Sequence, residues 1–197
     1  MAKGSGLLFF LLLTVSLLFP KTLYPSDELN IPTLPSTSYV NAKLNDVIVS
    51  QRLVDGYYLD IPKAGIFDKI QDRVDPFNIY AYMPVIYNRV AQASGTGKNL
   101  TYLFAHSSSY VYKGTESKAI FANLNNLIKG DQIILNKYGQ IKKYQVVSKK
   151  IVHDVDLWPL TQKPKEETLV LQTCWPLNSL TTRLIVTAKP VEVIAVK

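Results

Sequence analysis

The 197-residue sequence has a single cysteine, Cys174, and only two histidines, His106 and His153. One cysteine closes no intramolecular disulfide and builds no cysteine-ligated zinc site. Internal repeats and long low-complexity tracts are absent, which leaves one folded domain with a proper hydrophobic core and no room for a second. Regular helices between the apolar segments are also missing, and this argues against a doubly wound parallel sheet. The acidic residues near Glu116, Asp154 and Asp156 are scattered, so they read as solvated loops and not as a calcium site. No metal and no cofactor is implied.

Long apolar runs are scarce too. The one candidate, Leu7–Phe19, is interrupted only by Thr14 and Ser16, and Gly4 to Pro20 makes seventeen residues. A membrane span needs roughly 20, so the run sits near the lower limit. It also fits a secretory signal, but no small-x-small cleavage pattern follows; the next residues are Lys21, Thr22, Leu23, Tyr24 and Pro25. The favoured expectation for residues 1–23 is an uncleaved single-pass membrane anchor with the amino terminus inside, the alternative being a cleaved signal and secretion. Either way the body is extracytoplasmic. Residues 24–42, carrying Pro25, Pro32 and Pro35 among serines and threonines, read as an extended linker. The folded domain is expected over 43–197.

The charge balance is +7. It either keeps a small domain soluble or attracts an anionic surface such as phosphate-rich lipid or wall polymer. Nucleic acid is not an expected partner: Lys142, Lys143, Lys149 and Lys150 sit as hairpin charges and not in a groove lined with stacking aromatics.

Twelve tyrosines and abundant Val and Ile favour strands. Tyr57–Pro62 reads as a strand, with Ala64–Phe67 continuing the sheet. Ile79, Tyr82, Met83, Ile86 and Val90 recur at helical spacing around Pro84, which predicts a broken or one-turn helix plus loop. Leu100–Ala105 is a strand ending at His106, followed by a loop at Ser107–Ser109. Ile120, Phe121, Leu124, Leu127 and Ile128 predict one face of a short helix, with Gly130 as its C-cap. Asp131–Lys137 and Gln140–Val147 predict a hairpin turning at Tyr138-Gly139. Further strands are expected at Ile151–Val155, Thr168–Cys174, Arg183–Ala188 and Val191–Val196. Seven or eight short strands with one or two helices imply a mostly β fold, a closed or nearly closed barrel.

Three residues stand out chemically. Side chains alternate along a strand, so Gln172 and Cys174 share one face of Thr168–Cys174, while Leu169, Leu171 and Thr173 share the other. Cys174 ends that strand, Arg183 opens the next after eight intervening residues, and His106 ends a third. A thiol becomes a strong nucleophile on ionising, and an imidazolium favours the thiolate. The same ring can protonate a leaving amine and deprotonate an incoming one. An arginine stays charged and can hold a developing oxyanion. Taken singly, each residue has a plain structural reading: a buried small hydrophobe, a strand-end histidine, a surface ion pair. Together they suit acyl transfer from a peptide bond to a thiol, then to an amine or water. His153, beside Asp154, reads as structural.

On these residues the sequence resembles the sortase family. Thr168-Leu169-Val170-Leu171-Gln172-Thr173-Cys174 is similar to the TLxTC signature, Arg183-Leu184-Ile185-Val186 to the strand bearing the family arginine, and Leu103-Phe104-Ala105-His106-Ser107 to the strand and loop bearing its histidine. Leu59–Ile66 and the Lys129-Gly130-Asp131 turn add support. The likeness runs from Tyr57 to Val193 in the family's order, with spacing most like class C, D and E members. It implies a closed eight-stranded sortase barrel with one or two short helices, and a cysteine transpeptidase or peptidase with Cys174, His106 and Arg183 as catalytic residues. The implied substrate is a surface-protein sorting-signal peptide of LPxTG-like type. The implied acceptor is an amine from a wall precursor or a pilin lysine, and the membrane is a partner through the N-terminal segment. The sequence departs from many members where Arg89-Val90-Ala91-Gln92 replaces a stretch that carries a second histidine. Asp75-Pro76-Phe77 resembles the lid motif of pilin-polymerising members, but it follows the first strand instead of preceding it and reads as a turn.

Two other classes compete. Papain-like peptidases place cysteine before histidine, and L,D-transpeptidases put the arginine two residues after the cysteine, where this chain has Pro176; both fit less well. A non-catalytic exported barrel acting as a binding or scaffold module remains the second reading.

Overall fold

The computed structural model describes residues 56–112 and 114–195. The N-terminal apolar run, the 24–42 linker and the expected boundary at 43 lie outside the described residues. No helix among the described residues is long and apolar enough to cross a membrane.

Eight strands close into a barrel. In chain order they are β1 (Tyr57–Ile61), β2 (Ile66–Val74), β3 (Val90–Ala93), β4 (Leu100–Phe104), then, after a small separate hairpin of β5 (Val111–Tyr112) and β6 (Thr115–Glu116), β7 (Gln132–Lys137), β8 (Gln140–His153), β9 (Thr168–Cys174) and β10 (Thr182–Ala195). Around the barrel they run β1-β2-β3-β4-β9-β10-β8-β7. The β2/β3 and β4/β9 pairs are parallel and the others antiparallel. Closure removes the unpaired edges that an open sheet of apolar strands would expose.

Alternation divides the core in two. One cluster fills the barrel, with Leu59, Ile61, Leu103, Leu169, Leu171, Leu184 and Val186 among its members. The intervening residues Tyr102, Phe104, Val170 and Ile185 belong to a second cluster on the outer face, together with Ile86. That face is covered by helix α1 (Ile79–Ile86), whose start is capped by the Asn78 side chain accepting from the Tyr80 N–H at 3.0 Å. Helix α2 (Trp158–Thr161) contributes Leu160 from the other side. The inner face is pure packing; the outer face, roofed only in part, leaves space for a site.

Several expectations need correction. Ala64–Phe67 continues the sheet only from Ile66: Pro62–Ala64 is a 3-10 helix that reverses the chain, and β2 pairs back on β1. Pro84 does not confine the following segment to one turn, since α1 runs eight residues with Pro84 inside. Val90 is not part of that helical pattern; it begins β3. The helix expected over Ile120–Ile128 is instead a chain of turns. Amides of Ala122, Leu124, Asn126 and Leu127 each bond the carbonyl three residues earlier, and only Leu124–Asn126 is a 3-10 helix. Phe121, Leu124 and Leu127 are fully buried, and a spacing of three satisfies them at three residues per turn. Gly130, with φ 99°, therefore caps no α-helix. Ile151–Val155 is no separate strand, because β8 runs on to His153, and the two expected strands Arg183–Ala188 and Val191–Val196 are one, β10, with two register shifts, described as far as Ala195. The hairpin at Tyr138-Gly139 holds, with φ of 51° and 83° at the two turn residues, as a two-residue turn with both central residues left-handed requires.

The lysines read as hairpin charges are engaged. Lys142 pairs with Glu167 at 2.9 Å, Lys143 with Glu192 at 2.8 Å, and Lys150 lies 5.7 Å from the centre of the Trp158 ring.

Candidate active site

Cys174 and Arg183 are cross-strand partners, the first pair of the β9/β10 ladder. Residues directly opposite in an antiparallel pair point to the same face with their Cβ atoms about 5 Å apart. The connecting loop is pinned at its base: the Trp175 N–H donates to the Thr182 carbonyl at 3.2 Å, and the Thr182 hydroxyl donates to the Trp175 carbonyl. Arg183 is held from the loop side, its Nη1 donating to the Leu180 and Thr182 carbonyls at 3.1 and 3.0 Å. A guanidinium has five donors, so most of the fork stays available to a ligand.

His106 follows β4, which runs parallel to β9 with Leu103 opposite Leu171 and Phe104 opposite Gln172. Its ring sits between two tyrosines, edge-on to Tyr87 with centroids 6.1 Å apart and tilted against Tyr110 at 5.2 Å. Nε2 is buried without a hydrogen-bond partner among the described residues. Burial pushes the imidazole below its ordinary pKa, because the charged form loses its hydration.

His106, Cys174 and Arg183 line one cleft of about 460 Å³ on the outer face. Its floor is the β4/β9 surface, with Tyr102, Phe104 and Gln172; one wall comes from α1 (Tyr82, Met83, Ile86). Exposed Phe77, Leu157 and Leu180 form an apolar rim. The Tyr102 hydroxyl donates to Gln172 Oε1 at the cleft floor. Burial raises the Tyr102 pKa, partly offset by the Arg183 charge, so that hydroxyl stays protonated. All three residues singled out from the sequence thus meet at one accessible place, with Cys174 half-buried.

Other placements add detail. Asp75-Pro76-Phe77 is a turn, with the Phe77 N–H donating to Asp75 Oδ1 at 2.9 Å, and Pro76 and Phe77 reach the cleft rim. His153 ends β8, exposed, 2.7 Å from Asp154 Oδ1, and does not line the cleft. Asp154 and Asp156, expected as scattered loop residues, do line it. Sequence reading missed Tyr87, Tyr102 and Tyr110. For Tyr102 a signal existed: Leu100, Tyr102 and Phe104 alternate as large residues on the face that Leu103 leaves.

Comparison with known proteins agrees with this architecture. The family model of the sortase domain matches residues 59–191. No curated protein matches. Among solved structures, sortase C of Streptococcus pneumoniae superposes with a TM-score of 0.57 at 22% identity, over 68% of this chain and 65% of that one. Sortase C of Clostridium perfringens with the C-terminal cell wall sorting motif gives 0.56 at 23% identity, over 68% and 69%. Sortase C-1 of Actinomyces oris gives 0.54 at 24%, over 81% and 85%. These likenesses establish the fold. This chain spans about two thirds of the length of the first two.

Proposed function

This chain belongs to the sortase family, and we propose that it works as a sortase-type transpeptidase with Cys174 as nucleophile, His106 as general acid and base, and Arg183 as oxyanion donor. The observation that carries the reading is the direct opposition of Cys174 and Arg183 at the open end of one ladder, with His106 on the same cleft. The Cys174 thiol gives its proton to the His106 imidazole, and the thiolate sulfur adds to the carbonyl carbon of the scissile peptide bond. The negative charge that develops on the carbonyl oxygen is met by guanidinium N–H groups, which act where charge forms and need no reorganisation. Collapse expels the amine, which takes the proton from His106 and leaves an acyl thioester on Cys174. An incoming amine, deprotonated by the same ring, attacks the thioester and restores the thiol. Water in its place gives the peptidase outcome.

The apolar rim and the polar Gln172–Tyr102 floor suit an extended peptide with alternating apolar and polar demands. A sorting-signal peptide of LPxTG-like type is the proposed donor, and a wall-precursor amine or a pilin lysine the proposed acceptor. The apolar run Leu7–Phe19 is the proposed anchor that holds residues 43–197 at the outer membrane surface; alkaline extraction of membranes tests it, retention being expected and release contradicting it. For the chemistry, the test is cleavage of a peptide containing Leu-Pro-Ala-Thr-Gly and its transfer to an added amine, with Cys174→Ala inactive and folded. Turnover by Cys174→Ala would remove the nucleophile assignment.

A further inference from the structure

His106 sits in the loop after β4 and Cys174 at the end of β9, and the buried Nε2 of His106 has no hydrogen-bond partner among the described residues to aim it. Its orientation is therefore set by the backbone that carries it and by the two flanking tyrosine rings. That backbone is tied down on both sides of the histidine. Before it, the Ala105 carbonyl accepts from the Thr173 hydroxyl at 2.8 Å, and the Ala105 N–H donates to the Gln172 carbonyl at 3.3 Å. After it, the Ser108 hydroxyl accepts from the Asn178 N–H at 2.9 Å. Both ties run to residues that flank Cys174: Thr173 precedes it on β9, and Asn178 lies in the loop that returns to Arg183. Ser108 is 8% exposed and Asn178 is exposed, so the bond between them is half-buried. Asn178 adopts φ 66°, a left-handed conformation uncommon for a residue with a Cβ. The Thr173 tie is anchored in a strand. The His106 carbonyl itself accepts from the N–H of buried Phe121 at 2.8 Å, and the Ser108 bond adds a tie from the histidine loop to the loop that joins Cys174 to Arg183.

We infer that Ser108 is a positioning residue, a latch between the His106 loop and the Cys174–Arg183 loop that keeps the imidazole in register with the thiol. It touches neither substrate nor the reacting atoms. The inference rests on the roles of His106 and Cys174 proposed above. A hydroxyl at this position accepts the Asn178 N–H; a methyl removes that acceptor and loosens the contact between the two loops.

The test needs no substrate. Cys174 is the only cysteine in the chain, so the rate of alkylation by iodoacetamide against pH reports on one thiol, and a paired imidazole shapes that profile. Wild type, His106→Gln, Ser108→Ala and Ser108→Thr are compared, with thermal unfolding as the check on folding. His106→Gln is expected to move the profile to higher pH. Ser108→Ala is expected to move it at least half-way toward His106→Gln, and Ser108→Thr to restore the wild-type curve. A Ser108→Ala curve superimposed on wild type, beside a displaced His106→Gln curve, overturns the latch and leaves the pairing standing. A His106→Gln curve superimposed on wild type overturns the pairing, and the latch with it. Amide exchange at Asn178 in the wild type gives an independent reading: protection is expected, and exchange at the rate of an unstructured amide overturns the latch even if the Ser108 variants fail to fold.

Discussion

Cys174 and Arg183 stand opposite each other at the end of the β9/β10 ladder, and the carbonyls of Leu180 and Thr182 hold the guanidinium in place. The backbones that carry the thiol and the cation are thus fixed by two paired strands, and the loop between them steadies the guanidinium. Rigid support of this kind keeps reacting groups within the tolerance that catalysis demands. From this follows a prediction on charge geometry. Arg183→Lys keeps the charge but loses the fork, and an ammonium on a flexible stem cannot hold both loop carbonyls and an oxyanion. A fall of roughly 10²- to 10³-fold in kcat is expected, the size seen when one oxyanion donor is removed. Steady-state kinetics on a sorting-signal peptide measures it; near-wild-type kcat would count against the role of Arg183.

His106 predicts a pH effect on stability. Its folded-state pKa lies below that of the unfolded chain because burial opposes protonation. Above the unfolded value, about 6.5, both states are neutral and the full stability is present. As pH falls through that value toward the folded one, the unfolded chain takes up a proton that the folded protein refuses, and stability is lost. Denaturant unfolding of wild type and His106→Gln between pH 7 and pH 5 is expected to show a steeper decline for wild type. Parallel declines would contradict a buried, neutral ring.

The two faces of β9 and its neighbours predict different phenotypes. Leu171 is fully buried inside the barrel, and Leu171→Ala should cost ~2–5 kcal/mol, for lost transfer energy and the cavity left behind. Leu180 lies on the cleft rim, 72% exposed. Leu180→Ser should leave the unfolding midpoint within error and raise KM for the peptide several-fold. Equal effects of the two variants on stability would mean that the rim is structural.

Much of this was legible from the chain. Alternation in Thr168–Cys174 put Gln172 and Cys174 on one face and Leu169, Leu171 and Thr173 on the other, and the burial of those residues agrees. The strand ends at His106 and Arg183 followed from apolar runs that stop there. The second half of β2 was not legible. In Ile66–Val74 only every fourth residue is buried, while Phe67, Asp68, Lys69, Gln71, Asp72 and Arg73 occupy the remaining exposed or half-buried places. Such a pattern lacks the period of two that marks a half-buried strand, and parallel pairing of Ile70, Gln71 and Val74 to β3 supplies what the side chains do not.

The segment 120–128 failed for the opposite reason. Its apolar spacing looked helical, but the residues between the anchors, Asn123, Asn125 and Asn126, have little helix propensity, and the burial of Phe121, Leu124 and Leu127 is met by tight turns. The tyrosines around His106 were invisible because Tyr87 and Tyr110 lie nineteen and four residues away in loops without periodicity. Only tertiary structure brings them to the ring.

The most direct test is intact-protein mass spectrometry after brief exposure to a pool of pentapeptide-containing sorting-signal peptides, quenched in acid. The account predicts a mass increase equal to the amino-terminal part of one peptide. The adduct should map to Cys174, be released by hydroxylamine and be absent from Cys174→Ala. Peptide cleavage with no adduct at Cys174, or an adduct on another residue, would contradict it.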